Sequence, residues 1–166
     1  MVELTQKERL QPSLMDRLTD DEPNNQQESR DKRVLSMHRL RQSVLRDISW
    51  LLNTDSLESV VDLSDYPEVA NSVLNYGIKD LAGKTSSGAD ISTIEKELKL
   101  AVSIFEPRIF QNTLVIQVVS SDQMNQHAIS FDIEGYLWSQ PLPLHLYLRT
   151  EINKISGDVN LRDLDG

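Results

Sequence analysis

Three carboxylates, Glu106, Asp132 and Glu134, are the side chains of this sequence that could carry out hydrolysis. Glycoside hydrolysis needs two carboxyl groups that face one cleft. Asp132 and Glu134 instead stand two residues apart in "AISFDIEG", where apolar residues alternate with polar ones. A strand with one face on the core and one face in solvent shows the same alternation. The spacing therefore predicts no catalytic site.

Metal and cofactor chemistry also lack the residue patterns that they need. The three histidines, His38, His127 and His145, are scattered through a chain with no cysteine, and none forms the HExxH pattern of a zinc site. The sequence contains no glycine-rich phosphate-binding loop and no GxSxG nucleophile motif. We expect neither a bound metal nor a cofactor.

The triplet Glu106-Pro107-Arg108 interrupts the apolar run "SIFEPRIF" and has two interpretations. The simpler is a helix stop with a local salt bridge, since proline disfavours the helical conformation in the residue before it. An arginine at the negative end of a helix is worth about 0.3–1 kcal/mol, whereas an acid there is unfavourable. A rigid turn with an ill-placed acid also suits a docking surface. On that interpretation Glu106, Pro107 and Arg108 are partner-binding residues, with both charges held away from the core.

Helical patterns precede the triplet. Residues 34–52 repeat apolar side chains at spacings of three and four, which predicts an amphipathic helix. The segment "SDYPEVANSVLNYG" predicts a shorter helix, with Pro67 at its first position and Gly77 as its C-terminal stop. Either Ser64 or Asp65 could cap its start.

A third helix leads directly into the triplet. Ser92 followed by Glu95 has the spacing of a capping box, in which each side chain bonds the other residue's backbone N–H. Apolar residues then recur at helical spacing as far as Phe105. The helix should end at Glu106, because the next residue is Pro107.

Beyond the triplet the apolar period falls to two. The segments "NTLVIQVV", "HAISFDIEGYLW", "LHLYLRTEI" and "GDVNLRDL" predict four strands joined by short connections. Helices followed by an antiparallel meander indicate an α+β fold, with N-terminal helices packed on a small antiparallel sheet. Such a sheet has edges that another chain's strand can join, here "TLVIQVV" or "VNLRDL".

Composition limits the class of protein. A chain of 166 residues favours one domain, and a net charge of −9 argues against a general nucleic-acid binder. No apolar stretch has membrane-spanning length, so we expect no membrane insertion and a cytoplasmic location. Residues 1–33 are polar and predict a tail that is disordered or docked on a partner, ahead of a single domain over residues 34–166.

One apolar island interrupts that tail. Leu14, Met15 and Leu18 in "SLMDRLTDD" could share one face of a short helix. The helix would either lie on the domain or dock on a partner.

Four stretches together resemble one family. "DRLTDD", "LRQSVLRDISWLLNT", "YPEVANSVLNYGIKDLAG" and "FEPRI" occur in the order found in the TssE family of type VI secretion baseplate subunits, which is related to phage-tail baseplate wedge proteins. The resemblance covers nearly the whole chain from Leu14, and its signature triplet matches at Glu106, Pro107 and Arg108.

The resemblance implies a structural protein of the sheath-initiating baseplate wedge fold. Its partners would be the wedge subunits TssF, TssG and TssK and the sheath protomer, with the triplet docked on the helical core of the wedge. The site would be the baseplate at the inner face of the cell envelope. A lysozyme-like enzyme that cleaves peptidoglycan and a soluble regulatory adaptor of the same fold are the alternatives.

Overall fold

The described part of the chain contains four α-helices and four strands, in the order that the sequence predicts. The computed structural model describes residues 13–19, 37–79, 88–119, 128–139, 142–153 and 155–165. The helices are α1 (Leu14–Leu18), α2 (Met37–Leu52), α3 (Pro67–Ala70) and α4 (Gly88–Phe105), and the strands are β1 (Val115–Val119), β2 (Ala128–Leu137), β3 (Leu144–Asn153) and β4 (Val159–Asp163). The α+β prediction is confirmed.

The sheet is an antiparallel meander in which each strand pairs with the next one in the chain. In register, Ile116 lies opposite Ile133, and Ile133 lies opposite Leu148. Alternate residues of each strand therefore point to the same side of the sheet, and one side carries the large apolar side chains. The opposite face carries charged and aromatic side chains.

The core lies between α2, α4 and the apolar face of the sheet. Each fully buried leucine, isoleucine or phenylalanine contributes about 1.5–3 kcal/mol through its loss of contact with water. The buried apolar residues of the two helices are Leu40, Val44, Ile48, Leu51, Leu52, Ile94, Leu98, Ala101 and Val102. Those of the sheet are Ile116, Phe131, Ile133, Leu137, Leu146, Leu148, Ile152 and Val159.

The start of α4 differs from the prediction. The helix begins at Gly88, so that Ser92 and Glu95 lie inside it and the predicted capping box is wrong. The Glu95 carboxylate instead accepts a hydrogen bond of 2.9 Å from the backbone N–H of Val118. It thereby ties α4 to the edge strand β1.

The helix predicted around Pro67 is shorter than its pattern suggests. Pro67 does occupy the first position, but the N-cap is Tyr66, so the predicted cap at Ser64 or Asp65 is wrong. The helix ends at Ala70, and Gly77 is not its stop. With φ of 128°, Gly77 brings the chain against the end of α2, where a Cβ would lie 2.3 Å from the carbonyl oxygen of Thr54.

The predicted boundary between tail and domain, at residues 33 and 34, lies outside the described residues. The division of the chain there stays a prediction.

Candidate docking site at the Glu106–Arg108 turn

The Glu106–Arg108 turn begins where α4 ends, as the sequence predicts. The Glu106 N–H still donates to the carbonyl of Val102 at 2.9 Å, which closes the last helical turn. Pro107 cannot donate in this way, and the chain turns so that the N–H of Ile109 donates to the carbonyl of Glu106 at 3.2 Å. The proline thus sets the place of the turn.

Strand β2 holds the far side of the turn. The N–H of Trp138 donates to the Arg108 carbonyl at 2.7 Å, and Ile109 forms an antiparallel bridge with Leu137. Gly135 leaves room for this approach, since a Cβ there would lie 3.0 Å from Cγ2 of Ile109. The turn is consequently fixed to the last residues of β2 as well as to α4.

Glu106 and Arg108 form a two-bonded ion pair. Nε of Arg108 donates to Oε1 of Glu106 at 2.6 Å, and Nη2 donates to Oε2 at 2.5 Å. The Glu106 side chain is only 3% exposed and that of Arg108 is 23% exposed. The expectation that both charges are held away from the core is therefore wrong, because the acid is buried and the arginine folds back over it.

Arg108 belongs to a closed ring of hydrogen bonds that we call the acid–base ring, made of Asp16, Ser43, Arg46, Asp47 and Arg108. Arg108 donates from Nη1 to Ser43 Oγ at 2.8 Å and from Nη2 to Asp47 Oδ2 at 2.6 Å. Arg46 joins Asp47 Oδ1 and Asp16 Oδ1, each at 2.7 Å. The Ser43 hydroxyl donates to Asp16 Oδ2 at 2.9 Å and closes the ring.

The ring favours the charged forms of Asp16, Arg46 and Arg108. Burial acts to lower the pKa of Arg108, but the hydrogen bonds and charge of Glu106, and then those of Asp47, outweigh it and raise that pKa. Burial acts to raise the pKa of Asp16, and hydrogen bonds from Ser13, Arg46 and Ser43 overcome it, so the pKa falls to about 2. The guanidinium groups and Asp16 are thus charged at neutral pH.

A cleft of about 350 Å³ opens beside the turn. Its wall combines charged side chains of the turn and of α2 with apolar and aromatic ones, so it offers both kinds of contact. It is lined by Ser13, Asp47, Ile48, Leu51, Tyr76, Phe105, Glu106, Pro107 and Arg108.

The other two candidate carboxylates face away from this cleft. Asp132 accepts bonds of 2.7 Å from both Arg149 and Tyr147 on the outer face of the sheet. Glu134 lies on the same face, 3.1 Å from His145 Nε2. The acid that shares the cleft with Glu106 is Asp47, and Arg108 Nη2 bridges the two. That arrangement ties two acids to one cation and leaves neither directed at a substrate.

Sequence patterns missed most of the ring. Ser43 and Asp47 carry no motif, and each of the ring's contacts to Asp16, Ser43 and Asp47 joins residues 27 to 65 positions apart in the chain. One local signal exists, because Ser13 and Asp16 form a capping box that marks the start of α1.

Neither of the two described histidines lines the cleft. His38 is exposed on α2 and His145 lies on the outer face of the sheet, while His127 is outside the described residues. Among the residues that the structure describes, no three of His, Asp and Glu lie together as metal ligands. No helix in the described ranges is long and apolar enough to cross a membrane.

Comparison with protein families gives one match. The model of a family described as baseplate wedge protein gp25 matches residues 38–142, from the start of α2 to just beyond β2. The matched region contains the whole Glu106–Arg108 turn and excludes α1, β3 and β4. No curated protein and no solved structure matches significantly.

Proposed function

We propose, from the premise that this chain belongs to the family of baseplate wedge protein gp25, that it is a non-catalytic structural subunit of a type VI secretion baseplate wedge. It docks on the wedge core beside TssF, TssG and TssK and provides a start for the contractile sheath. The observation that carries the docking role is the Glu106–Arg108 turn, which is fixed before any partner arrives.

A pre-formed turn suits docking because little freedom remains to be lost on binding. Arg108 is already immobilised because its side chain donates to Ser43 of α2 and its carbonyl accepts from Trp138, while 23% of the side-chain surface stays accessible to a partner. Immobilising a flexible side chain at an interface costs about 0.5–1.5 kcal/mol, and pre-organisation removes that cost. Pro107 is exposed beside it and adds a rigid apolar contact.

The same geometry supports a role without turnover. A glycosidase acid must be free to give a proton to the leaving group, while its partner carboxylate faces the sugar. Glu106 and Asp47 are the two acids of the cleft, and both are engaged by Arg108. The site therefore favours a binding surface over a peptidoglycan hydrolase.

Sheath initiation would use a free edge of the sheet. On β1 the Val118 N–H is occupied by Glu95, and on β4 both backbone groups of Val159 bond to the side chain of Asn53. Because backbone groups alternate in direction along an edge strand, those of Leu161 and Asp163 on β4 point away from the sheet. On β1 only those of Ile116 do so and remain without a side-chain partner among the described residues. The β4 edge, which is "VNLRDL", is thus the better acceptor for a strand of the sheath protomer.

The test is co-purification of the full chain with TssF–TssG, together with a peptidoglycan digestion assay. A stable complex and no digestion are expected. Digestion that is lost in Glu106→Gln would establish the enzyme instead. A folded chain that fails to bind the wedge subunits but captures a regulator would favour the adaptor.

A further inference from the structure

Helix α1 contacts the domain through its polar face, whereas an ordinary surface helix does so through its apolar face. Such helices turn an apolar stripe to the core and their polar side chains to water. In α1 the polar residue Asp16 faces α2, where it bonds Ser43 and Arg46. Leu14, Met15 and Leu18 are all exposed. The apolar face of α1 is therefore uncovered by the part of the chain that the structure describes.

Among the described residues, the hydrogen bonds that join α1 to the domain are those of Asp16. Five residues are too few to form a stable helix alone in water. The capping box fixes its start, with the Ser13 hydroxyl 2.7 Å from Asp16 Oδ2. Asp16 thus orders the helix and at the same time presents three apolar side chains to the outside.

The acid–base ring connects this apolar face to the Glu106–Arg108 turn. One hydroxyl, Ser43 Oγ, both donates to Asp16 and accepts from Arg108. Ser13, which precedes α1, lines the cleft together with the turn. The start of α1 and the turn consequently adjoin the same cleft, and the apolar face of α1 lies on the outer side of the helix.

We propose that α1 is the second half of the docking surface, and that its occupant is a helix of the wedge partner that carries an apolar stripe flanked by Lys or Arg. This inference rests on the proposed function and adds a surface outside the matched family region. Leu14 and Leu18 stand four residues apart and form a ridge that fits the groove of another helix.

The charge of this chain indicates which side chains should flank the apolar stripe of the partner helix. Three carboxylates (Asp16, Asp47 and Glu106) face two guanidinium groups (Arg46 and Arg108), so these five paired side chains together carry one net negative charge. The whole chain carries −9. Anionic surfaces such as lipid headgroups or nucleic acid are therefore disfavoured, and basic side chains on the partner are favoured.

The test is a titration of purified TssF–TssG complex with the full chain and with Leu14→Ser, Leu18→Ser and the matched control Ile155→Ser. Leu18 is 74% exposed and Ile155, in the β3–β4 turn, is 72% exposed, so serine costs both similarly little in the free protein. Because each leucine is buried only in the complex, its loss should weaken binding by at least about tenfold. Ile155→Ser should bind within twofold of wild type.

Different outcomes overturn the inference and the proposed function. If Leu14→Ser and Leu18→Ser bind as wild type while Arg46→Ala loses affinity, the turn docks alone and the α1 inference is wrong. If wild type itself does not bind, both fall. Sedimentation of the wild-type chain and of Leu18→Ser tests for self-association. If the wild-type chain self-associates, and Leu18→Ser abolishes this without changing wedge binding, the occupant of the α1 face is a second copy of the chain and the inference is wrong.

Asp16 is a positioning residue in this account, and a separate readout tests it. Asp16→Asn should speed amide hydrogen exchange of residues 14–18 and weaken wedge binding. Its effect should be much smaller when Leu18→Ser is already present, because both changes act through α1. Independent, additive effects of the two substitutions would contradict the coupling.

Discussion

A single arginine organises the candidate site. Arg108 donates to three side chains, Glu106, Ser43 and Asp47, and its own carbonyl accepts from the end of β2. Arg108 therefore stabilises the fold, in addition to its proposed role in recognition. Any substitution there perturbs the fold and the proposed surface together.

Arg108→Ala should destabilise the protein because it leaves the Glu106 carboxylate buried with one backbone donor. Removing one member of a buried ion pair costs about 3–5 kcal/mol, measurable by urea unfolding. Arg149→Ala is the control, since Arg149 pairs with Asp132 on the solvent-facing side of the sheet and should cost about 0–1 kcal/mol. Equal losses in the two variants would show that the burial of Glu106 does not matter.

The sequence predicted the residue-scale features that local rules control. The helix ends at Glu106 because Pro107 follows it, and this restriction acts within two residues. The burial of Glu106 could not be predicted in the same way, because it depends on Arg108 folding back onto α2. Asp16 was missed for the same reason, since its partners Ser43 and Arg46 lie on another element.

At the element scale, the sheet is closed at one end by a charged cluster. His145 of β3 lies between Asp165, 2.8 Å from Nδ1, and Glu134, 3.1 Å from Nε2, and its ring contacts Tyr136 edge to face. Arg41 of α2 pairs with Asp163 and lies 3.6 Å from Asp165. The cluster ties the C-terminal residues to β2 and to α2.

Protonation of His145 should stabilise this cluster. The hydrogen bond to Glu134, and then that to Asp165, raise the pKa of His145 above its usual 6.5 despite partial desolvation. The charged form is thus favoured by folding, and its contribution is complete below about pH 6.5 and is lost as pH rises through the raised value. Relative to His145→Gln, wild type should lose free energy of unfolding as the pH rises from about 6.5 through the raised pKa of His145. Parallel pH profiles for the two proteins would contradict this.

The two sheet edges make a paired prediction about strand addition. Leu161→Pro and Ile116→Pro each remove a backbone donor that points away from the sheet. If β4 receives the sheath strand, Leu161→Pro should reduce sheath assembly on isolated baseplates more than Ile116→Pro. Circular dichroism would check that both variants fold. Equal assembly by two folded variants would rule out strand addition at β4.

Strand order was predictable, whereas helix starts were not. Period-two alternation and short connections allow only a meander here, and all four strands lie where the pattern puts them. For α4, Ser92 and Glu95 matched a capping motif, yet the helix continues back to Gly88. The Glu95 side chain bonds Val118 on β1, a contact that no local pattern encodes.

At the scale of the whole molecule, rigid and uncovered features lie side by side. The core holds α2, α4 and the sheet together. The Glu106–Arg108 turn is hydrogen-bonded both to α4 and to the residue that follows β2. Helix α1 is connected to that turn through Asp16 and Ser43, and its apolar face has no cover within the described part of the chain. A net charge of −9 favours partners with basic surfaces.

The family match fits this division of the molecule. It covers the helices that form the core and the turn, but not α1 or the last two strands. We therefore expect docking through the turn to be general to the family. The resemblance in the sequence predicted the family, whereas the acid–base ring joins residues far apart in the chain and follows no local pattern.

The most direct test of the docking claim compares two arginines of similar exposure in one titration. Arg46 of the acid–base ring is 43% exposed and Arg149 of the outer sheet face is 41% exposed. Neither supports Glu106, so both alanine variants should fold, as thermal melts would show. The affinity of TssF–TssG for Arg46→Ala should fall at least about tenfold, because an ion pair that is desolvated in the complex loses one member. Arg149→Ala should bind as wild type does. Equal affinities for the two variants, or no binding by the wild-type chain, would contradict docking at the Glu106–Arg108 turn.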